Sequence, residues 1–200
     1  MTNRDKAIID DLQRFRAMTR EQIARLHFNN IKNSTDQCNK VLLRLKRDGH
    51  VAVSKERRMY TYFPAKHIKK DSSKLNHFLA IADFYCELSK HDPVRRFDVE
   101  PKLGGKGYPE PDAFMIWRAT PFFIEVQRSD YSSKQWQEKM NRYEQYYHSN
   151  DWQRLDWQPK DKKVLPVIWI VGKGPGMVQG TSFRVFHATV EEMVQKMNKR

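Results

Sequence analysis

Apolar residues recur every three to four positions through the first quarter of the chain, then give way to short runs of period two. Within residues 4–15, Ile8, Ile9, Leu12 and Phe15 make the i, i+4, i+7 stripe of an amphipathic helix. Thr19-Arg-Glu-Gln22 carries the hydroxyl and amide of a capping box, so it predicts a second helix that buries Ile23 and Leu26. Ser34-Thr-Asp-Gln37 reads the same way. It opens a third helix that buries Cys38, Val41, Leu42 and Leu45 and stops at Gly49, a residue suited to the left-handed turn past a helix end. Residues 51–53 and 59–63 are strand-like. The five residues between them, Ser-Lys-Glu-Arg-Arg, predict a β-hairpin with Lys55, Arg57 and Arg58 at its tip.

Residues 66–73 are polar and read as a linker, which sets domain bounds at 1–68 and 74–200. Residues 74–90 predict a long helix with Leu75, Phe78, Leu79, Ala82, Tyr85 and Cys86 inside, ended by His91-Asp-Pro93. His77 near its start reads as a cap or packing residue rather than a ligand. Residues 94–100 predict a strand, and the glycine-rich loop 102–109 cradles no phosphate because no helix follows it. A helix over 132–148 presents the stripe Trp136, Met140, Tyr143 and Tyr147. The polar loop 150–163 repeats Asp-Trp-Gln, and Trp152 and Trp157 read first as loop anchors and second as platforms for base stacking. A strand buried on both faces (164–171), a turn (172–180), another strand (182–187) and a closing helix (190–198) complete the chain. From residue 74 the order is α-β-β-β-α-β-β-α.

The two apolar runs of residues 111–127 predict a second hairpin. A two-residue loop at Ala119-Thr120 places Asp112 opposite Gln127 and Phe114 opposite Glu125. Period two then sends Ala113, Met115, Trp117, Phe122, Ile124 and Val126 to one wholly apolar face, expected to be core. Asp112, Glu125 and Gln127 share the other, polar face. A register shift of two residues keeps these faces, whereas a shift of one exchanges them.

Composition sharpens the picture. Two hundred residues, 39% apolar and 12% aromatic, suffice for two small cores. The longest apolar run, 164–171, is too short to cross a bilayer and contains Pro166. No basic-then-apolar leader opens the chain, so a cytoplasmic protein is expected. Cys38 and Cys86 fall on apolar helix faces and read as buried thiols without metal-type spacing. The net charge of +13 is lopsided: residues 1–70 hold 17 Lys/Arg against 7 Asp/Glu, residues 71–200 hold 20 against 17. This points to an N-terminal module for a polyanion. A membrane surface would call for a long basic amphipathic helix with an aromatic edge, which is absent, so nucleic acid is favoured.

Three short helices and a hairpin form a winged helix-turn-helix, whose third helix enters a major groove while the wing meets phosphate or the minor groove. The exposed face of that helix shows Asp36, Lys40 and Arg47, flanked by Asn33 and Arg44. Asn39, Lys40 and Arg44 are candidates for base edges. Asn33, Arg47, Lys55, Arg57 and Arg58 complete the expected DNA contacts. The competing readings are a three-helix bundle with a solvated basic face and a winged helix used for protein contact.

Pro111-Asp112 followed by Glu125-Val-Gln127 resembles the bipartite signature of the PD-(D/E)xK nuclease superfamily, with Gln127 where Lys is usual. The first six elements from residue 74 match the αβββαβ core of that superfamily, with Asp112 and Glu125 on its second and third strands. The resemblance implies an α+β chain, an N-terminal winged helix-turn-helix followed by a restriction-endonuclease-like domain. Its catalytic set would be Asp112, Glu125, Gln127 and Lys139, with Lys139 on the following helix supplying the charge that Gln127 lacks. A catalytic site would hold Mg²⁺ through Asp112 and Glu125, with Glu100 as a third acid.

The two-domain plan also resembles the plasmid replication-relaxation family. Met18-Thr-Arg-Glu-Gln-Ile-Ala-Arg-Leu-His27, the leucine-and-basic third helix, the Pro-Asp strand, and an acidic hairpin followed by Lys139-xxx-Tyr143 carry the likeness. It implies a protein of a plasmid, phage or conjugative element that binds double-stranded DNA and acts in replication, DNA relaxation or mobilisation. Replication or relaxase proteins and a second copy of the chain stand as further partners. Two alternatives remain open: an active Mg-dependent endonuclease or nickase, and a transcriptional regulator with a non-catalytic C-terminal domain.

Overall fold

Mixed α and β elements, six helices and two sheets among the described residues, divide between two compact units, Met1–Lys90 and His91–Arg200. The computed structural model describes residues 1–55, 59–65, 74–128, 131–172 and 176–199. No helix among them is long and apolar enough to cross a membrane.

In the first unit, Thr2 and Asp5 exchange side-chain and backbone hydrogen bonds at the start of α1 (Asn3–Phe15), whose Ile8, Leu12 and Phe15 are fully buried. Strand β1 (Met18–Thr19) leads into α2 (Arg20–His27). There the expected capping box is formed: Gln22 N–H donates to Thr19 Oγ1 at 3.2 Å and Thr19 N–H donates to Gln22 Oε1 at 2.8 Å. The box expected at Ser34 is not formed. Helix α3 (Ser34–Arg47) begins one residue earlier, and Asn33, at φ 59°, occupies its N-cap without a side-chain bond. Asn is among the few residues that adopt this left-handed conformation readily. The far end closes as read. Gly49 sits at φ 75°, with its N–H on Lys46 O and the His50 N–H on Leu45 O.

Strands β2 (Val51–Ser54) and β3 (Thr61–Pro64) pair antiparallel, Ala52 opposite Phe63. Strand β3 also pairs with β1, Met18 opposite Tyr62, giving a three-stranded sheet of order β1-β3-β2. Helix α4 (Leu75–Leu88) belongs to this unit, whereas the sequence reading gave it to the second domain. Residues 66–73, the expected linker, lie outside the described residues. The reason α4 joins the first unit is visible in its partners. Phe15 and Tyr85 rings lie 5.2 Å apart, Gln22 Nε2 donates to Leu79 O at 2.9 Å, and Arg25 bridges Asp83 at 2.6 Å and Glu87 at 2.8 Å. Cys38 and Cys86 are buried free thiols, pushed up by burial to about 11 and about 12.

The second unit is built on a sheet of order β4-β5-β6-β7-β9-β8. Strands β4 (Val94–Val99), β5 (Ala113–Trp117) and β6 (Thr120–Val126) run as an antiparallel meander. Helix α5 (Ser133–Ser149) then crosses to β7 (Val167–Val171), parallel to β6. Strand β9 (Val185–Ala188) lies parallel to β7 and antiparallel to β8 (Gly176–Val178), and α6 (Val190–Asn198) closes the chain. Strand β8 falls within the segment read as a turn.

The β5–β6 loop is Arg118-Ala119, both at positive φ (47° and 59°), one residue earlier than expected. Two positive φ values give the hairpin turn whose twist matches the strands it joins. The register therefore moves by two: Phe114 faces Phe123 and Ala113 faces Ile124. The faces survive this shift, and Ala113, Met115, Trp117, Phe122 and Ile124 are fully buried as read, whereas Val126 at the strand's end is only partly buried. The other face, expected to be polar, is largely apolar and covered. Phe114 and Phe123 pack there with Met140, Tyr143, Tyr146, Ile168 and Ile170 in a second core, because the parallel crossover lays α5 over it. Trp152 and Trp157 pack against the same cluster, the latter stacked 5.0 Å from Phe114.

Candidate functional site

One step beyond the Ala113–Ile124 pair, Asp112 stands across from Glu125, just outside β5 and near the end of β6. Asp112 N–H donates to Ile124 O at 2.9 Å, and Val126 N–H donates to Asp112 Oδ2 at 2.6 Å, so the aspartate extends the ladder. Period two points Glu125 to the same side as Phe123, under α5. That helix is anchored by a capping box between Ser132 and Gln135. Its residues i and i+4 share a face, so Lys139 and Tyr143 both reach the glutamate. Lys139 Nζ donates to Glu125 Oε2, and Tyr143 OH donates to Oε1 at 2.8 Å. Lys139 Nζ also donates to Tyr131 OH at 3.2 Å and lies 5.0 Å from the centre of its ring.

Burial dominates the electrostatics. Glu125 is 1% exposed, and desolvation pushes its carboxyl up to about 7 although the Lys139 ammonium pulls the other way; the Asp112 carboxylate adds to the rise. Burial would lower the Lys139 ammonium, but attraction to Glu125 outweighs it and leaves the group raised. Burial also raises the Tyr143 hydroxyl well above its usual value, with Glu125 adding to it. A cleft of about 340 Å³ opens beside this group, lined by Glu125, Tyr131, Lys139 and Tyr143 together with Glu110 and Arg142.

Of the residues expected to act here, Glu125 and Lys139 are in contact and Asp112 is their neighbour. Gln127 lies just past β6 and donates its N–H to Val171 O at 3.3 Å; its side-chain oxygen is buried without a hydrogen-bond partner among the described residues. Glu100 directly follows β4 at φ 46°, its N–H on Asp112 O at 2.9 Å. Among the described residues no three His, Cys, Asp or Glu side chains are grouped to hold a metal ion. The Lys139 ammonium stands against one oxygen of the buried carboxylate and the Tyr143 hydroxyl donates to the other. Tyr143 enters the sequence reading as part of a core stripe and of the Lys139-xxx-Tyr143 pattern, without a role at the acid; its i, i+4 spacing from Lys139 is the signal that pairs it with Glu125.

The first unit carries the expected nucleic-acid residues. Asn33, Asn39, Lys40 and Arg47 are exposed along α3, and Lys55 is exposed after β2 with Nζ 5.4 Å from the Tyr60 ring centre. Arg57 and Arg58 lie outside the described residues. Arg44 does not join that face freely. It reaches back to the buried Asp5 on α1 at 2.7 Å, and this hydrogen bond holds the aspartate down at about 2. It is a tie between helices.

Residues 56–156 match the family model described as replication-relaxation. No curated protein and no solved structure matches the chain. The matched stretch covers half of the chain and contains Asp112, Glu125, Lys139 and Tyr143. The chain belongs to the replication-relaxation family.

Proposed function

We propose that this protein binds double-stranded DNA of a mobile element in the cytoplasm, and acts there in replication, relaxation or mobilisation. In this reading residues 1–68 are a winged helix-turn-helix, with α3 as the major-groove helix and the β2–β3 hairpin as the wing. The second unit is a PD-(D/E)xK-like domain that serves as a binding and partner surface, engaging replication or relaxase proteins or a second copy of the chain. Family membership supports a role in replication or relaxation. The observation that carries the DNA reading is the exposed row Asn39, Lys40 and Arg47 on α3, beside a hairpin that presents Lys55. Strand pairing, helix order and the net positive charge of residues 1–70 all agree with it.

The test is duplex binding by the whole chain as a function of salt. Each phosphate contact contributes about −0.9 to the slope of log K against log salt. The double variant Lys40→Ala/Arg47→Ala is expected to lower both affinity and slope, and a flat salt dependence rejects the reading. The ion pair on Glu125 speaks against metal-dependent cleavage. Incubation of supercoiled plasmid with Mg²⁺ or Mn²⁺ is therefore expected to leave it uncut. Nicking that Glu125→Gln abolishes would establish the enzyme instead.

A further inference from the structure

Helix α3 carries one residue that neither its packing nor its charge explains. Leu43 is 70% exposed in the middle of the helix. The core side of α3 is made by Cys38, Leu42 and Leu45. At about 100° per residue, positions 36, 40, 43 and 47 lie on the opposite side, so Leu43 projects from the centre of the outward face, between Lys40 and Arg47. Asn39, Lys40, Lys46 and Arg47, one turn to either side of it, are exposed as well. A leucine there adds helix propensity but little packing to the folded chain. A cationic rim around an apolar centre does suit a polyanion that displays a recessed apolar group.

We propose that Leu43 is a specificity-determining residue that contacts the 5-methyl group of a thymine in the major groove, within a site where Asn39 and Lys40 meet the adjacent base edges. This rests on the DNA-binding reading above. The thymine methyl is the apolar group that the major groove presents, and apolar side chains are its natural partners. Neighbours one helical turn apart are about 5–6 Å from each other, and base pairs rise about 3.4 Å, so Leu43 and Asn39 or Lys40 fall on adjacent or next-adjacent pairs. Charge decides between occupants. A second copy of this chain would bring its own cations against Lys40, Lys46 and Arg47, whereas duplex DNA brings phosphates to that rim.

The experiment begins by enriching a randomised duplex library on the wild-type chain. Each thymine of the enriched duplex is then replaced singly by deoxyuridine, which removes only the methyl group. At one position this replacement is expected to weaken the wild type by about three- to tenfold. Leu43→Ala is expected to bind the thymine and deoxyuridine forms equally. Lys40→Ala is expected to weaken both forms while keeping their ratio, and circular dichroism should show all variants folded. A wild type indifferent to every replacement, or a Leu43→Ala chain that keeps the discrimination, overturns the assignment. So does a wild-type dimer that Leu43→Ala turns into a monomer, since that places a second copy on this face. Failure of the wild type to bind any duplex is a distinct result and removes the DNA reading itself.

Discussion

Asp5 is 1% exposed, yet its carboxyl is held at about 2, chiefly by the hydrogen bond from Arg44. A carboxylate whose folded pKa lies below its unfolded value stabilises the fold above the unfolded pKa and loses that contribution as pH falls through the folded one. From the ordinary 3.8 to about 2, the wild type should therefore lose stability more steeply than Asp5→Asn. Urea unfolding followed by circular dichroism at pH 4, 3 and 2 checks this, and equal slopes would contradict it. Lys139 poses the complementary case. Removing the cation of a buried pair costs about 3–5 kcal/mol, and the lower end applies because Lys139 is partly exposed. Lys139→Met should thus lose about 3 kcal/mol at pH 8 and less at pH 6, where Glu125 can take up a proton. Adding Glu125→Gln should restore much of the loss. A Lys139→Met chain as stable as wild type at pH 8 would show that the pair does not hold α5 on the sheet. The first of these partnerships was not legible beforehand. Arg44 and Asp5 are 39 residues apart, and nothing local marks which basic residue of α3 turns inward. Lys139 is grouped with Glu125 by the sequence itself, since it lies on the helix that follows the acidic hairpin, close to that helix's apolar stripe.

Among the elements, the long periodic segments were readable and the shortest, β1 and β8, were not. Stripes such as Ile8, Leu12 and Phe15, and the apolar run from Ala113 to Trp117, reflect burial over several turns or pleats, so they survive errors of a residue. Strand β1 has two residues, too few for any period, and only its pairing with β3 reveals it. The β5–β6 turn was misplaced by one because neither Asn nor Gly marks it. Arg118 and Ala119 adopt positive φ instead, at a conformational cost. Ala119→Gly should relieve about 1 kcal/mol, read as a higher urea midpoint with an unchanged slope. A lower midpoint would mean that the alanine methyl makes a contact worth more than the strain. The two-residue change in register left the faces intact. What the pattern could not tell was that the face of Asp112 and Glu125 is itself covered, since α5 lies outside the hairpin that was being read.

At the level of the whole chain, the division after Lys90 has a direct consequence. Helix α4 buries Leu75, Phe78, Ile81 and Leu88 within the first unit. Burying such side chains is worth about 1.5–3 kcal/mol each, comparable in sum to the stability of a small domain. A chain of residues 1–90 should therefore unfold cooperatively, whereas one of residues 1–68 should not; thermal unfolding by circular dichroism distinguishes them. Cooperative unfolding of 1–68 alone would return the boundary to the polar linker. The linker was the natural choice from composition, but composition marks where a chain is polar and not which core the next helix joins.

The knot of Glu125, Lys139 and Tyr143 also constrains how this chain can drift over generations. A lineage that loses the lysine alone carries a buried charge without its counter-ion. One that loses the glutamate alone leaves an ammonium and a buried phenol without the acceptor they share. Replacing acid and base together by uncharged side chains of similar size is far cheaper than either single step. Relatives should consequently keep the acid and the base as a unit or exchange them as a unit, with the tyrosine free to become phenylalanine only where the acid has gone.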